Sequence, residues 1–217
     1  ARAGADIAVF SRSGASETVR LIESEGGQIL DIIADATDES SVKKGMKKIM
    51  EVYGKLDIVV NNAGVCYHKD AFEATIEEWR ECLDINLTGE YIVCREAARV
   101  MIDNNFKGSI INIASMSGHI VNVPQCQAAY NASKAGVIHM TKSLAIEWID
   151  KIYELILLAP DMLPPLCLLI LILSNQSLWQ LGSHYSQCIA WQNQKNSVVP
   201  LFGYAVNLPA IQPVQIF

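Results

Sequence analysis

Residues 6–35, "DIAVFSRSGASETVRLIESEGGQILDIIAD", decide the fold because they contain two apolar segments separated by an amphipathic one. "DIAVF" predicts a buried strand, "ASETVRLIESEGG" a helix closed by glycine, and "QILDIIAD" a second strand. Two neighbouring strands that are joined through a helix run parallel, because the crossover returns the chain to the edge where it started. This stretch therefore predicts the beginning of a parallel sheet.

The same alternation continues as far as Asp150. It predicts a helix in "DESSVKKGMKKIMEVYG", a strand in "LDIVVNNAG", a helical stretch over 75–105 with a break near Asn86, a strand in "GSIINIASMSG" and a long helix in "AAYNASKAGVIHMTKSLAIEWI". Strands that alternate with helices form a parallel sheet covered on both faces. The predicted fold class is therefore α/β, a three-layer doubly wound parallel sheet, with residues 1–150 as its domain.

Composition excludes several classes of protein. Of the 217 residues, 51% are hydrophobic and 18% are charged, which is typical of a globular chain and not of a disordered one. The net charge is −6 and there is no basic cluster, which argues against nucleic acid or an anionic membrane as a partner. The most apolar run, residues 155–173, is interrupted by three prolines and Asp161, so it does not predict a transmembrane helix.

The cysteines show no pattern of a disulfide framework or a metal site. No C-x-x-C pair occurs, and no histidine lies near a cysteine at ligand spacing. We therefore expect reduced thiols, no metal and a cytoplasmic protein. The six cysteines are Cys66, Cys82, Cys94, Cys126, Cys167 and Cys188.

Both ends of the chain depart from the alternating pattern. The opening residues "ARAGADIAVF" read as the end of a helix followed by a strand, with no earlier strand and glycine-rich turn. A doubly wound nucleotide-binding sheet has such a strand at its centre and uses the turn to bind pyrophosphate. We therefore expect the first strand to be missing through truncation. After Asp150 charges become rare, so residues 151–217 predict an atypical tail with doubtful last strands.

Four polar positions fall where the predicted sheet would place a ligand. Tyr130 and Lys134 lie four residues apart in the long helix, a spacing that puts both side chains on one face. Residues 61–64, "NNAG", end a strand, and ligands of open α/β sheets bind at such ends. Ser115 follows another strand, and Asn86 is a polar residue inside a helical stretch. Each signal is common alone; together they predict one site.

As a set, "NNAG", "DINLTG" around Asn86, "NIASMSG" around Ser115 and "YNASK" at 130–134 resemble the short-chain dehydrogenase/reductase family. The resemblance covers roughly the first two-thirds of the chain. It implies a Rossmann-like fold and an NAD(P)(H)-dependent oxidoreductase that interconverts a secondary alcohol and a ketone. It also implies a homodimer or homotetramer packed through the helices at 86–105 and 130–149.

The resemblance also implies a role for each catalytic candidate. A tyrosine hydroxyl ordinarily has a pKa near 10, and a neighbouring ammonium favours the phenolate. Tyr130 would then be the general acid in reduction and the base in oxidation, with Lys134 supplying the ammonium and binding the nicotinamide ribose. Ser115 would hold the substrate oxygen, and Asn86 would anchor a water that relays protons. Ser117 remains an alternative to Ser115.

The strand "DIAVF" corresponds to the second strand of the family fold, and the residues at its end indicate the cofactor. NAD enzymes commonly carry an acidic residue there, whereas an arginine accommodates the 2′-phosphate of NADP. Ser11 occupies that place and Arg12 follows it, so NADP(H) is favoured over NAD(H). By resemblance, Asp35 and Ala36 contact the adenine. The small residues of the next turn let the cofactor approach the backbone; these are Asn62, Ala63 and Gly64.

The loop "SMSGHIVNVPQCQAAY" resembles that of polyol dehydrogenases and ketose reductases within the family. Its polar side chains are candidates for binding substrate hydroxyls; they are Ser115, Ser117, Asn122 and Gln125. His68 and His119 have no partner pattern, and we expect them to be surface or loop residues. The substrate class that this loop favours is a polyol or a ketose.

The tail suggests a change of reading frame. Codons that can encode Ile152–Asp161, read one frame away, translate as I-R-V-N-S-I-S-P-G, the strand and Pro-Gly turn that the resemblance implies after the long helix. We therefore hypothesise a frame shift near Trp148–Ile152, after which the tail is not folded as in the family. The coding DNA tests this hypothesis directly.

Two other functions are compatible with parts of the sequence. A non-catalytic remnant would retain the fold without binding cofactor, as the missing glycine-rich turn and the unusual tail indicate. An epimerase or dehydratase also uses Tyr-x-x-x-Lys, but "NNAG" and the short spacing argue against it. Saturable binding of NADPH separates an enzyme from a remnant.

Overall fold

The computed structural model describes residues 1, 4–148, 150–152, 154–159, 169–174 and 214–216. The helices are α1 (Ser16–Ser24), α2 (Glu39–Tyr53), α3 (Ile76–Leu83), α4 (Glu90–Asp103) and α5 (Ala128–Glu147). The strands are β1 (Asp6–Ser11), β2 (Ile29–Ile33), β3 (Ile58–Asn61), β4 (Ser109–Ile113), β5 (Glu154–Ala159), β6 (Leu169–Ser174) and β7 (Val214–Ile216). Every helix and strand predicted between residues 6 and 148 is confirmed.

Helices cover both faces of the sheet, which confirms the predicted three-layer α/β fold. Along β1, Ala8 belongs to the large core under α2 and α4, whereas Ile7 and Val9 pack with Ile22 of α1 on the opposite face. Successive side chains of a strand point to opposite faces, so an apolar strand needs cover on both. β1 is buried in this way on both of its faces.

Helix boundaries follow from local capping chemistry. The Asp38 side chain accepts a hydrogen bond from Ser40 N at the start of α2, and Gly54 ends that helix with a φ of 67°. Thr75 and Glu78 form a reciprocal capping box at the start of α3. These side chains satisfy backbone groups that a helix end leaves unpaired.

A π-helical segment, Asp84–Gly89, separates α3 from α4 at the predicted break. A π-helix widens the turn by one residue and frequently lies at a functional site. Asn86 lies in its middle and is completely buried. The distortion therefore directs a polar side chain into the protein and not towards solvent.

The last strands differ from the sequence-based expectation. The order in the sheet is β2-β1-β7-β3-β4-β5-β6, so β7 occupies the central position that the sequence left without a strand. β5 runs parallel to β4, whereas β6, one of the last strands that the sequence left in doubt, is antiparallel to β5. Nine residues separate β5 from β6, too few for the crossover that a parallel pair needs.

Much of the tail lies outside the described residues, including residues 160–168 and 175–213 with Cys167 and Cys188. The predictions of an atypical 151–217 segment and of a frame shift therefore stay predictions. Within the described part of the chain, none of the helices combines the length and apolarity needed to cross a bilayer.

Candidate active site

Buried amides join the carboxyl ends of β3 and β4. Asn61 and Asn112 are paired across the two strands, and Asn61 Nδ2 donates to Asn112 Oδ1 over 2.8 Å. Asn112 Nδ2 donates in turn to Thr141 Oγ1 of α5 over 3.0 Å. Cys94 Sγ also contacts Asn112 Oδ1, and burial raises the pKa of this thiol to about 12. This network fixes the two strand ends against α5.

Asn86 connects the turn after β3 with α5. Its Oδ1 accepts from Val65 N over 2.7 Å, and its Nδ2 donates to Val65 O over 2.8 Å and to Ser133 Oγ over 3.1 Å. A Cβ added to Gly64 would lie 3.3 Å from Asn86 Oδ1 and 4.0 Å from Lys134 Nζ. The "NNAG" turn therefore passes directly over Asn86 and Lys134, and Asn62, Ala63 and Gly64 are exposed there.

Lys134 is held in the interior by two oxygen atoms. Its Nζ donates to Glu90 Oε1 over 2.8 Å and to the carbonyl oxygen of Ile113, at the end of β4, over 2.6 Å. Burial raises the pKa of Glu90 to about 7, although the adjacent lysine acts in the opposite direction. Glu90 was not identified in the sequence. Its position four residues after Asn86, on the same helical face, is the signal that could have indicated it.

Ser115 and Ser117 have different environments. Ser115 is half-buried, and its Oγ accepts from Ser117 N over 3.1 Å. Ser117 is buried, and its Oγ accepts from Asn122 Nδ2 and Gln127 Nε2 over 2.8 and 3.1 Å. Gln127, also missed in the sequence, is therefore a structural partner of Ser117. Ser115 is therefore more accessible than Ser117.

The turn that carries these serines packs on α5. A Cβ added to Gly118 would lie 2.8 Å from the backbone oxygen of Lys134, so the contact admits no larger residue. Tyr130 is half-buried in the first turn of α5, one helical turn before Lys134. The structure thus brings Asn86, Ser115 and the Tyr-Lys pair to one region, at the carboxyl ends of β3 and β4.

Gln125 lies farther out, in the wall of an open cleft shared with His68 and Cys126. His68 and His119 are exposed, as predicted. Cys66, Cys82, Cys94 and Cys126 are free thiols. In the residues that the structure describes, no group of three or more histidine, cysteine or acidic side chains could hold a metal ion.

The other cofactor candidates lie at the ends of β1 and β2. Asp35 accepts from Thr37 N and Thr37 Oγ1 over 2.8 and 2.7 Å, and these bonds, with the charge of Arg12, lower the pKa of the carboxyl group. Arg12 is exposed, and Ser11 Oγ is buried with no hydrogen-bond partner in the described residues. Within the described residues Ser11 has an unpaired hydroxyl, and the next residue carries an exposed guanidinium, so the two could receive a polar ligand group.

Ala36 connects this end to the region that contains Asn86 and Lys134. A Cβ added to Gly89 of the π-helical segment would lie 3.4 Å from the Ala36 Cβ. Asp31, which the sequence did not indicate, accepts from Ala15 N over 2.9 Å and fixes the loop before α1. The candidates for cofactor binding therefore form a continuous edge from Ser11 to the "NNAG" turn.

Comparison with known proteins places the chain in a family. The family model described as short chain dehydrogenase matches residues 1–163. The chain is 35% identical over 151 residues to an NADP-dependent mannitol dehydrogenase of Alternaria alternata, covering 68% of this chain and 56% of that protein. It is 37% identical over 153 residues to a sorbose reductase of Candida albicans, covering 68% and 54%.

Solved structures give the same result. A short-chain type dehydrogenase/reductase from Mycobacterium marinum superposes with a TM-score of 0.65 at 36% identity, over 70% of this chain and 61% of that one. The chain spans little more than half the length of the two curated relatives. With the family model matching three-quarters of its residues, the chain belongs to the short-chain dehydrogenase family.

Proposed function

We propose that this protein is an NAD(P)(H)-dependent oxidoreductase that interconverts a secondary alcohol and a ketone. The observation that carries the proposal is the convergence of Asn86, Ser115, Tyr130 and Lys134 at the carboxyl ends of β3 and β4. Lys134 Nζ contacts the backbone just before Ser115, and Asn86 contacts the residue before Lys134. Family membership supplies the chemical context.

The nicotinamide, when bound, supplies or accepts the hydride. Tyr130 exchanges the proton with the substrate oxygen, Ser115 donates a hydrogen bond to that oxygen, and Lys134 places a positive charge beside the phenol. Asn86 keeps the "NNAG" turn in place through both ends of its amide. We also propose that Asn86 anchors a water molecule that relays protons.

NADP(H) is the proposed cofactor. The support is the exposed guanidinium of Arg12, together with the absence of a carboxylate at the end of β1, where Ser11 stands. The NADP-dependent mannitol dehydrogenase is consistent with this choice. Ser11, Arg12, Asp35 and Ala36 would hold the adenosine end, and Asn62, Ala63, Gly64 and Lys134 the nicotinamide end.

A polyol or ketose is the proposed substrate class. The support comes from the two sugar-related relatives and from the polar side chains near the site, of which Ser115, Ser117 and Gln125 are the candidates. The test is turnover of mannitol, arabinitol and sorbose with NADP(H), followed by NADPH absorbance. Tyr130→Phe should lower kcat by roughly 10²- to 10⁴-fold, the usual contribution of a general acid.

The non-catalytic remnant is the second candidate. One observation favours it: β7, which belongs to the atypical tail, occupies the centre of the sheet between β1 and β3. Titration with NADPH, followed by its fluorescence, separates the two. The absence of saturable NADPH binding by the wild-type chain supports the remnant, and turnover that Tyr130→Phe does not reduce contradicts the proposed mechanism.

A further inference from the structure

The ammonium of Lys134 has a charged partner that the proposed reaction does not use. Glu90 Oε1 lies 2.8 Å from Lys134 Nζ, and the two side chains are only 1% and 5% exposed. The second carboxylate oxygen of Glu90 is buried and has no hydrogen-bond partner in the described residues. A carboxylate that is removed from water and half unsatisfied is costly to keep, so fold stability does not explain it.

Glu96 on the same helix shows the contrasting arrangement. It is also buried, but Arg95 and Arg99 contact it over 3.2 and 2.9 Å, and both arginines belong to α4. Glu96 therefore forms its ion pairs within its own helix, with arginines that reach the protein surface. Glu90 instead faces away from α4, towards the helix that carries Tyr130 and Lys134.

We propose that Glu90 is a positioning residue of the active site, which holds Lys134 and offsets the ammonium charge beside Tyr130. This inference rests on the proposed function, since it assigns Lys134 the task of favouring the phenolate. With Glu90 ionised, the pair has no net charge and gives the phenolate little support. With Glu90 neutral, Lys134, which follows Tyr130 by one turn of α5, carries a positive charge that is no longer compensated.

The other titratable groups around the pair are thiols. Cys94, one turn after Glu90 on α4, has a pKa raised to about 12 by burial and by the charge of Glu90, although its hydrogen bonds with Asn112 and Asn61 act in the opposite direction, so it is neutral. Cys82 on α3 faces Lys134, and burial raises its pKa as well. Within the described residues these are the titratable neighbours that interact with the pair. The local charge therefore depends on Glu90 and Lys134.

The test is a titration of the tyrosine itself, which needs no substrate. The ultraviolet absorbance of tyrosinate is followed against pH in the full chain and in its Tyr130→Phe variant, and the difference reports Tyr130 alone. Glu90→Gln keeps the shape of the side chain and an oxygen for Lys134, but removes the negative charge. We expect the tyrosinate signal of Glu90→Gln to appear about one pH unit lower, because one compensating charge is lost.

Glu96→Gln is the matched control, because it removes a buried carboxylate from the same helix without touching Lys134. Its titration should match that of the wild type. If Glu90→Gln fails to fold, Glu90→Asp, which withdraws the charge by one methylene, should give a smaller shift of the same sign. An unchanged titration in a folded Glu90 variant, or an equal shift in Glu96→Gln, overturns the inference.

Turnover provides the second measurement. The acid limb of the pH profile of kcat/KM for mannitol oxidation should move to lower pH in Glu90→Gln by the same amount. The two proposals fail in different ways. If Glu90→Gln does not shift the pH at which the tyrosinate absorbance appears, the role of Glu90 is contradicted. If the wild type does not oxidise or reduce any substrate, the proposed function alone is contradicted.

Discussion

The two ends of the sheet's carboxyl edge are built differently. At the ends of β3 and β4, Asn61, Asn86, Asn112 and Lys134 are buried, and each makes several hydrogen bonds to neighbouring elements. At the ends of β1 and β2, Arg12 is exposed and the Ser11 hydroxyl has no hydrogen-bond partner among the described residues. The region proposed for chemistry is therefore fixed by hydrogen bonds within the protein, as preorganised catalysis requires. The region proposed for the adenosine end is held by fewer such contacts.

Breaking the buried network should have the largest effect on stability. Asn112→Ala removes the link between β3 and α5, because Asn112 makes buried hydrogen bonds to Asn61, Cys94 and Thr141. Each lost hydrogen bond costs roughly 0.5–1.5 kcal/mol and the vacated volume adds to this cost, so we expect the free energy of unfolding to fall by about 4 kcal/mol. Urea denaturation measures it.

Asn104→Ala is the control for this comparison, because Asn104 Nδ2 makes a single exposed hydrogen bond to Val100 O. It should change the free energy of unfolding by less than about 1 kcal/mol. Equal losses in the two variants would show that the buried network contributes no more to the free energy of unfolding than one exposed hydrogen bond.

The pH dependence of stability should report Glu90. The pKa of Glu90 is about 7 in the folded protein, above its ordinary value of 4.5, so the folded state retains a proton that the unfolded state releases. The stability from this group is complete below pH 4.5 and is lost as pH rises through about 7. The loss is on the order of 3 kcal/mol between about pH 4.5 and about pH 8.

Glu90→Gln should remove this part of the pH dependence, and Glu96→Gln should leave it in place. Urea denaturation of the three proteins at several pH values makes the measurement. If the free energy of unfolding of the wild type and of Glu90→Gln changed equally with pH across this interval, the expected contribution of Glu90 would be contradicted.

The open end of the edge should show the smallest effect, confined to cofactor binding. Arg12→Ala removes the exposed guanidinium proposed to meet the 2′-phosphate, so we expect NADPH to bind about tenfold more weakly. NADH, which lacks that phosphate, should bind with unchanged affinity. Fluorescence titration with both cofactors gives the ratio, and Arg20→Ala, which removes another charge of the same sign from neighbouring α1, is the control.

Sequence periodicity was sufficient for the elements that are amphipathic or capped. The strand β1, the glycine-terminated α2 and the irregularity at Asn86 were all predictable from local residues, because burial, capping and helix propensity are local in sequence. The four catalytic candidates were predictable as a set because each follows a strand or lies on a helix that the pattern identifies.

The contacts that were not predicted join distant parts of the chain. Glu90 and Lys134 are 44 residues apart, and local patterns do not report which buried carboxylate meets which lysine. The antiparallel direction of β6 depends on pairing with β5, and the position of β7 depends on the space between β1 and β3. Tertiary partners, and not local propensity, determine these features.

The location of β7 has a consequence for how the protein folds. Among the described strands it alone joins β1 to β3, and more than 150 residues separate it from β3. Closing a loop of that length costs conformational entropy before the pairing stabilises the fold. Among the described strands, the pairs that β7 makes with β1 and β3 are therefore expected to form last.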